Sequence, residues 1–461
     1  MFHGSGLAFI ALLTAAGAGQ ARALQSPIAI TGVTVVDPVG GKSTNQTVII
    51  TGGTVTAVGL TGRTPIPAGA VRVDGKGKFL IPGLWDMHVH LGMIGREAVP
   101  VFLAAGVTGV RDMGGDPAVI LPLRDSIAAG LVLGPRVKAT GNIIESARWL
   151  NNVIKRTEPL GQPELLAELR RRFGIETAED GIKAIDSLSR MGIDHAKIRN
   201  YPGPAAYSAL ARAARERGIK LVGHAPLPSM IELISDSGFA SIEHGTVGVK
   251  NGKLVDGFSE LSDSARRALF RRFARNGTAW DPTLVSSKVR FIPDSTVTRM
   301  IDDSLGITDP ELRLVPPTLR QSWRASRALA SVSTQDDWSA LYRANLRDVR
   351  EMTDAGVLVL AGTDVAVPTL IPGYSLHNEL VALVEEGQLT PAEALRSATV
   401  NPARVMGLGE TGGRVVAGAP ADLVLLDADP LVDIRVTRRS HVVIAAGRYL
   451  DREALRRLAG R

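Results

Sequence analysis

The chain contains no cysteine in its 461 residues. Disulfides, thiolate nucleophiles and cysteine-ligated zinc are thereby excluded, and stability has to come from a packed core. Aromatic residues amount to only 4%, and they are not interleaved with basic runs as in a nucleic-acid-binding surface. Charge of either sign is not strongly in excess: 53 basic against 46 acidic residues give +7. The basic residues gather in stretches such as ALARAARERG and ARRALFRRFARNG, which read as solvated helix faces. Nucleic acid is not an expected partner. Beyond the N-terminal stretch, no apolar run approaches the roughly 18 residues of a membrane span.

What is present points to a globular protein. Apolar residues make up 45%, with 49 glycines and 26 prolines, enough for a large core divided by many turns. The stretch GLAFIALLTAAGAG, followed by Ala21-Arg22-Ala23, has the apolar segment and small alternate residues of a signal peptide over 1–23. The mature chain is expected to begin near Leu24 and to be periplasmic or secreted, soluble, and free of membrane once the leader is removed.

Between Ile28 and Leu80 the sequence alternates apolar and polar residues in short bursts broken by Gly, Asp and Pro, the pattern of antiparallel strands. A similar texture returns in GGRVVAGAPADLVLLDADP and HVVIAAGRYLD. The two ends are expected to pair into one small β-sandwich domain, 24–80 plus 405–461. The central part, 81–404, alternates short apolar strands with helical stretches, which implies parallel strands with helices outside. Eight such strands run from GLWDMHVH to VLVLAGTD, the number that closes a (β/α)8 TIM barrel. The long polar stretches 145–180 and 286–345 follow the third and seventh strands. On a barrel they lie on the C-terminal rim, where lids over a substrate sit.

Several polar residues end these strands. In LWDMHVHLG, His88 and His90 are two residues apart and project from one face, where two imidazoles can grip one divalent ion. His224, His244 and Asp364 each end a further strand and point to the same rim. In IDHAKIRN the alternation turns His195, Lys197 and Arg199 inward and Ala196 and Ile198 outward. A buried ammonium at Lys197 is costly unless paired or neutralised. A salt bridge is one solution; a carbamate formed with carbon dioxide, which is an anionic ligand able to bridge two metals, is another.

With IPGLWDMHVHLG, the lysine of DHAKIRN, GHAP, IEHG, AGTD, the tail LHNELVALVEEGQLTPAEALRSATVNPARVMGL and GAPADLVLLDADP, the chain resembles the amidohydrolase superfamily from about Ile28 to its C-terminus. Within that superfamily it is similar to the imidazolonepropionase-like and metal-dependent (prolidase-like) dipeptidase group. The resemblance implies two divalent ions: one on His88, His90 and Asp364, one on His224 and His244, with carboxylated Lys197 between them. Zinc is the expected ion, with manganese and cobalt as alternatives. It also implies hydrolysis of amide (C–N) bonds in peptide-like, acyl amino acid or cyclic amide substrates by a metal-bridging hydroxide. Asp364 then serves as catalytic base and acid.

The resemblance to dipeptidases breaks down at two substrate contacts. Where that group tends to carry GGH and HAY, this chain reads KATGNIIESARW and GHAPLP, with Pro226 in the tyrosine's place, which weakens any expectation of dipeptide specificity. Arg199, Tyr201 and His377 are candidate substrate contacts instead. The same metal pair also suits a lactonase, an esterase or a phosphotriesterase, and a non-catalytic periplasmic binding protein is a third reading. The expected partner is a small-molecule substrate, and the sequence is compatible with a homo-oligomer.

Overall fold

A computed structural model describes residues 26–460 except 227, 246, 251–252, 259–260 and 331–337. The leader expected over 1–23 lies outside the described residues. No described helix is long and apolar enough to cross a membrane.

The body is α/β. Strands Leu84–Val89, Val107–Asp112 and Arg136–Ala139 form one parallel sheet. A second parallel sheet contains His195–Ile198, Lys220–His224, Ser241–Glu243 and Ala279–Asp281, in that spatial order. The first two strands are buried along their whole length, as parallel strands covered on both faces must be. Backbone bonds run between the two sheets. Asp194 N donates to Ala139 O on one side. On the other, Leu360 N donates to Trp280 O, Met87 N to Ala361 O and Asp364 N to His88 O.

VLVLAGTD, expected as a regular eighth strand, forms no strand, and the β-pairing in and beside it is limited to isolated parallel bridges, Trp280 to Val359 and, just beyond it, Val89 to Val365. Its extended run cannot continue. Gly362 packs so tightly on the Asp281 carboxylate that a Cβ would collide with it, and Asp364 has a left-handed φ of 61°.

The helices around the sheets carry the expected start and stop chemistry. In Ala178–Met191, Thr177 and Asp180 make a reciprocal capping box and Gly192 ends the helix at φ 73°, satisfying backbone groups that the helix itself leaves open. Its face of Ala184, Ile185 and Leu188 enters the main core beside Ala206 and Leu210 of Pro204–Glu216.

Strands from both ends of the chain share one eight-stranded mixed sheet, in which Leu423–Leu426 pairs antiparallel with Phe79–Pro82. Side-chain alternation gives this sheet two jobs. Leu423 and Leu425 close a small core with Ile30, Val48 and Leu80, whereas Val424, Leu426 and Ile81 face the main core. The stretch 145–180 forms helices Ala147–Thr157 and Pro163–Arg171, followed by strand Phe173–Ile175, which adds to the second sheet through Ile144–Ser146.

Candidate metal centre

Six side chains meet where the parallel strands end. Lys197 Nζ is 3.3 Å from His88 Nε2. Asp364 Oδ1 is 3.6 Å from His88 Nε2 and 3.4 Å from His90 Nε2. The His88 and His244 ring centres are 4.6 Å apart, and those of His224 and His244 4.9 Å. All six residues proposed from sequence are thus brought together.

Backbone conformation does much of this placing. Strand alternation would put Ser241 and Glu243 on the interior face and turn His244 away. A φ of 64° at His244, an uncommon conformation for a non-glycine residue, swings its ring back over the strand ends. At Gly223, φ is 147° and a Cβ would strike the Ile198 carbonyl, so only glycine lets the strand bearing His224 lie this close to the strand bearing Lys197.

The imidazoles are oriented from behind. His88 Nδ1 is 3.1 Å from Glu243 Oε2, His90 Nδ1 is 3.0 Å from Gly114 O, and His244 Nδ1 is 2.7 Å from Thr283 Oγ1. A carbonyl or carboxylate can only accept, so Nδ1 of His88 and of His90 carries the proton and Nε2 offers its lone pair to the site. Burial, reinforced by the charge of Lys197, holds His88 well below the usual histidine range. Burial likewise lowers His224 well below that range, and His244 to about 4. Neutral imidazoles are the form that binds a metal.

Lys197 is buried, and that burial lowers it to about 8 against the pull of Asp364 and Glu243. Burial also pushes Asp364 upward, but hydrogen bonding to His90 and the nearby imidazoles outweigh it and keep the carboxyl well below the carboxylate range. Donor atoms of His88, His244 and Asp364 lie within 4.8 Å of one another. Neutral nitrogen lone pairs and an anionic oxygen at that spacing fit a divalent ion.

A cavity of about 1050 Å³ opens over this cluster. Both long stretches help to line it, the first through Glu168, Arg171 and Arg172 and the second through Arg290, Trp338 and Asn345. Arg199 also lines it, held 5.1 Å over Trp149. Two candidate substrate contacts are corrected. His377 is fully buried elsewhere, with Nδ1 on Thr437 Oγ1 and Nε2 on Ala105 O, because helix Tyr374–Glu385 turns it onto the main core. Tyr201 lends its hydroxyl to the His224 carbonyl at 2.7 Å, so it supports the strand end rather than facing a ligand.

The matching family model is that of the amidohydrolase family, over residues 79–449. The chain belongs to the amidohydrolase family. This amidohydrolase is 26% identical over 435 residues to dihydroorotase of Anaeromyxobacter dehalogenans, spanning 87% of this chain and 88% of that one. It is 26% identical over 391 residues to imidazolonepropionase of Streptomyces coelicolor, spanning 83% and 85%. Among solved structures it superposes on a Bifidobacterium longum protein described as a prolidase, with TM-score 0.68 and 25% identity over 95% of this chain and 100% of that one. It is a hydrolase of carbon–nitrogen bonds, of a superfamily that uses divalent metal ions.

Sequence reasoning missed the supports beneath the cluster. Arg111, fully buried, donates to Met87 O, Ser241 Oγ and both oxygens of Glu243. Asp86 gathers Thr363 and the His88 amide. Asp112 ties down Leu91 N and Gly114 N. Their one sequence signal is a charged residue inside an otherwise apolar strand.

Proposed function

We propose that this amidohydrolase cleaves amide bonds of peptide-like, acyl amino acid or cyclic amide substrates with a pair of divalent ions, zinc being the expected metal. The reading rests on one observation: six side chains from five strand ends meet under one cavity. His88, His90 and Asp364 would hold one ion and His224 with His244 the other, with Lys197 between them as a carbamate. That carbamate forms when the neutral amine adds to carbon dioxide and releases a proton. We also take the parallel strands to close as a (β/α)8 barrel over 81–404, with the terminal sheet curling into a sandwich-like unit (24–80 plus 405–461). Export to the periplasm or medium remains the expectation from the leader pattern.

Bound divalent ions supply an acidified water and polarise the substrate carbonyl. The protein's own residues do the rest. Asp364 Oδ1, adjoining the imidazoles of His88 and His90, takes a proton from the attacking water and returns it to the leaving nitrogen. Ser286 Oγ donates to Asp364 Oδ2 at 3.0 Å, which leaves Oδ1 as the working oxygen. The surrounding walls exclude bulk water and orient the amide.

Metal analysis of protein purified without chelator, followed by a screen of acyl amino acids, dipeptides, cyclic ureides and lactones, tests this reading. Two divalent ions per chain and turnover of amides are expected. Metal-free protein, or turnover confined to lactones, would overturn it.

A further inference from the structure

Helix Trp338–Asp354 turns one stripe of its surface into the cavity. Trp338, Leu341 and Asn345 all line it, and their spacing of i, i+3 and i+7 places them on one helical face. The chemistry changes along that stripe. Asn345 is only 6% exposed and, among the described residues, makes no side-chain hydrogen bond. Its carboxamide opens on the cavity, where both its N–H and its C=O are available to a ligand. It lies against Gly245, the residue after His244, where a Cβ would collide with the carboxamide. Glycine there lets Asn345 reach the reacting centre.

Leu341 supplies the apolar middle. At the far end the Arg290 guanidinium lies 4.6 Å over the Trp338 ring. The other cavity guanidiniums have carboxylate neighbours: Arg171 has Asp116 at 3.5 Å, Arg172 has Glu145 and Glu168, and Arg199 has Glu145 at 3.7 Å. Arg290 has no such neighbour among the described residues. An indole face fixes a guanidinium without using its N–H groups, which leaves the fork free for a bidentate carboxylate. Seven residues of helix separate Trp338 from Asn345, about 10 Å along the axis.

We propose that the substrate is an elongated amide: Asn345 hydrogen-bonds its reacting end, Leu341 and Trp338 flank an apolar segment, and Arg290 holds a distal carboxylate. The length of helix between Asn345 and Trp338 favours a carboxylate several bonds from the scissile one over the adjacent carboxylate of a simple dipeptide. The inference rests on the amide-hydrolase reading and narrows it.

Two measurements test it. In the metal-loaded enzyme, the mono-anilide of suberic acid is compared with that of succinic acid and with the methyl ester of each. The long acid should exceed its own ester about tenfold in kcat/KM, and Arg290→Met should erase that ratio. Asn345→Leu should slow the whole series. In metal-free protein, tryptophan fluorescence reports binding of biphenyl-4-carboxylate against its carboxamide. The acid should bind about tenfold tighter, and the difference should vanish in Arg290→Met at an unchanged thermal midpoint. Equal binding of acid and carboxamide, or an equal effect of Arg290→Met on acid and ester, overturns the proposal. A binding preference without cleavage of any anilide would instead overturn the amide-hydrolase reading and leave the carboxylate site standing. Cleavage without preference does the reverse.

Discussion

Arg111 and Glu243 face each other with no solvent on either side, one guanidinium nitrogen lying 2.8 Å from both carboxylate oxygens. Glu243 in turn holds His88 Nδ1, so the arginine acts on the metal centre through two intermediaries. Glu243→Gln should weaken metal binding by about 10- to 100-fold, the usual effect of losing a support behind a ligand. Chelator competition measures this, and unchanged affinity would separate the pair from the centre. Arg111→Met strands Glu243 and the nearby Asp281, 3.7 Å away, and should cost about 3–5 kcal/mol in denaturant unfolding.

Asp364→Asn keeps size and polarity at a carbon–nitrogen hydrolase's proposed proton shuttle while removing its basicity. Turnover should fall by at least about 100-fold, the scale of general acid–base catalysis, while the circular dichroism spectrum stays the same. Wild-type kcat in this variant would remove Asp364 from proton transfer.

Lys197→Ala takes away the proposed bridging group. Activity and bound metal should both drop, and short carboxylates such as acetate or propionate should restore part of each by occupying the vacated space. In the wild type, labelled bicarbonate should give a carbamate carbon resonance. A free ammonium at Lys197 in metal-loaded protein would rule the bridge out.

Glu393 offers a pH-dependent prediction far from the site. Burial nudges its carboxyl up, but hydrogen bonds from Arg350 and the Thr390 cap outweigh this and bring it down to about 2 from the ordinary 4.5. A depressed carboxylate stabilises the fold above its unfolded value, and that contribution disappears as pH falls from 4.5 toward 2. Glu393→Gln should therefore cost about 1 kcal/mol near neutrality, the scale of a helix cap, and progressively less below pH 4.5. A penalty that stays constant in urea melts from pH 7 to pH 3 would show that the charge is not what matters.

The clustering of the site's side chains is legible in the sequence where local geometry suffices. His88 and His90 share a strand face, and Lys197 turns inward by the same alternation. The sequence is less informative where the backbone departs from regular geometry, because the φ of 64° at His244 and 61° at Asp364 are imposed by contacts distant in the chain. Arg111 and Glu243, 132 positions apart, look like ordinary charged residues until the strands assemble. His377 was misplaced for the same reason, since its partners Ala105 and Thr437 lie 272 and 60 positions away. Seven of the eight expected strands are readable because each is a short apolar run bounded by breakers, yet pattern alone cannot say that the eighth stretch makes only isolated bridges.

Strands Phe79–Pro82 and Leu423–Leu426, drawn from opposite ends of the chain, lie side by side, and Lys42 meets Asp429 across 387 positions. The first strands to leave a ribosome therefore wait for the last before their ladder is complete. Closing so long a loop before any reward is gained slows folding, and until then an unpaired edge is open to stray partners. A truncated nascent product should accordingly depend on chaperones more than the full-length polypeptide does, however well its catalytic half is formed.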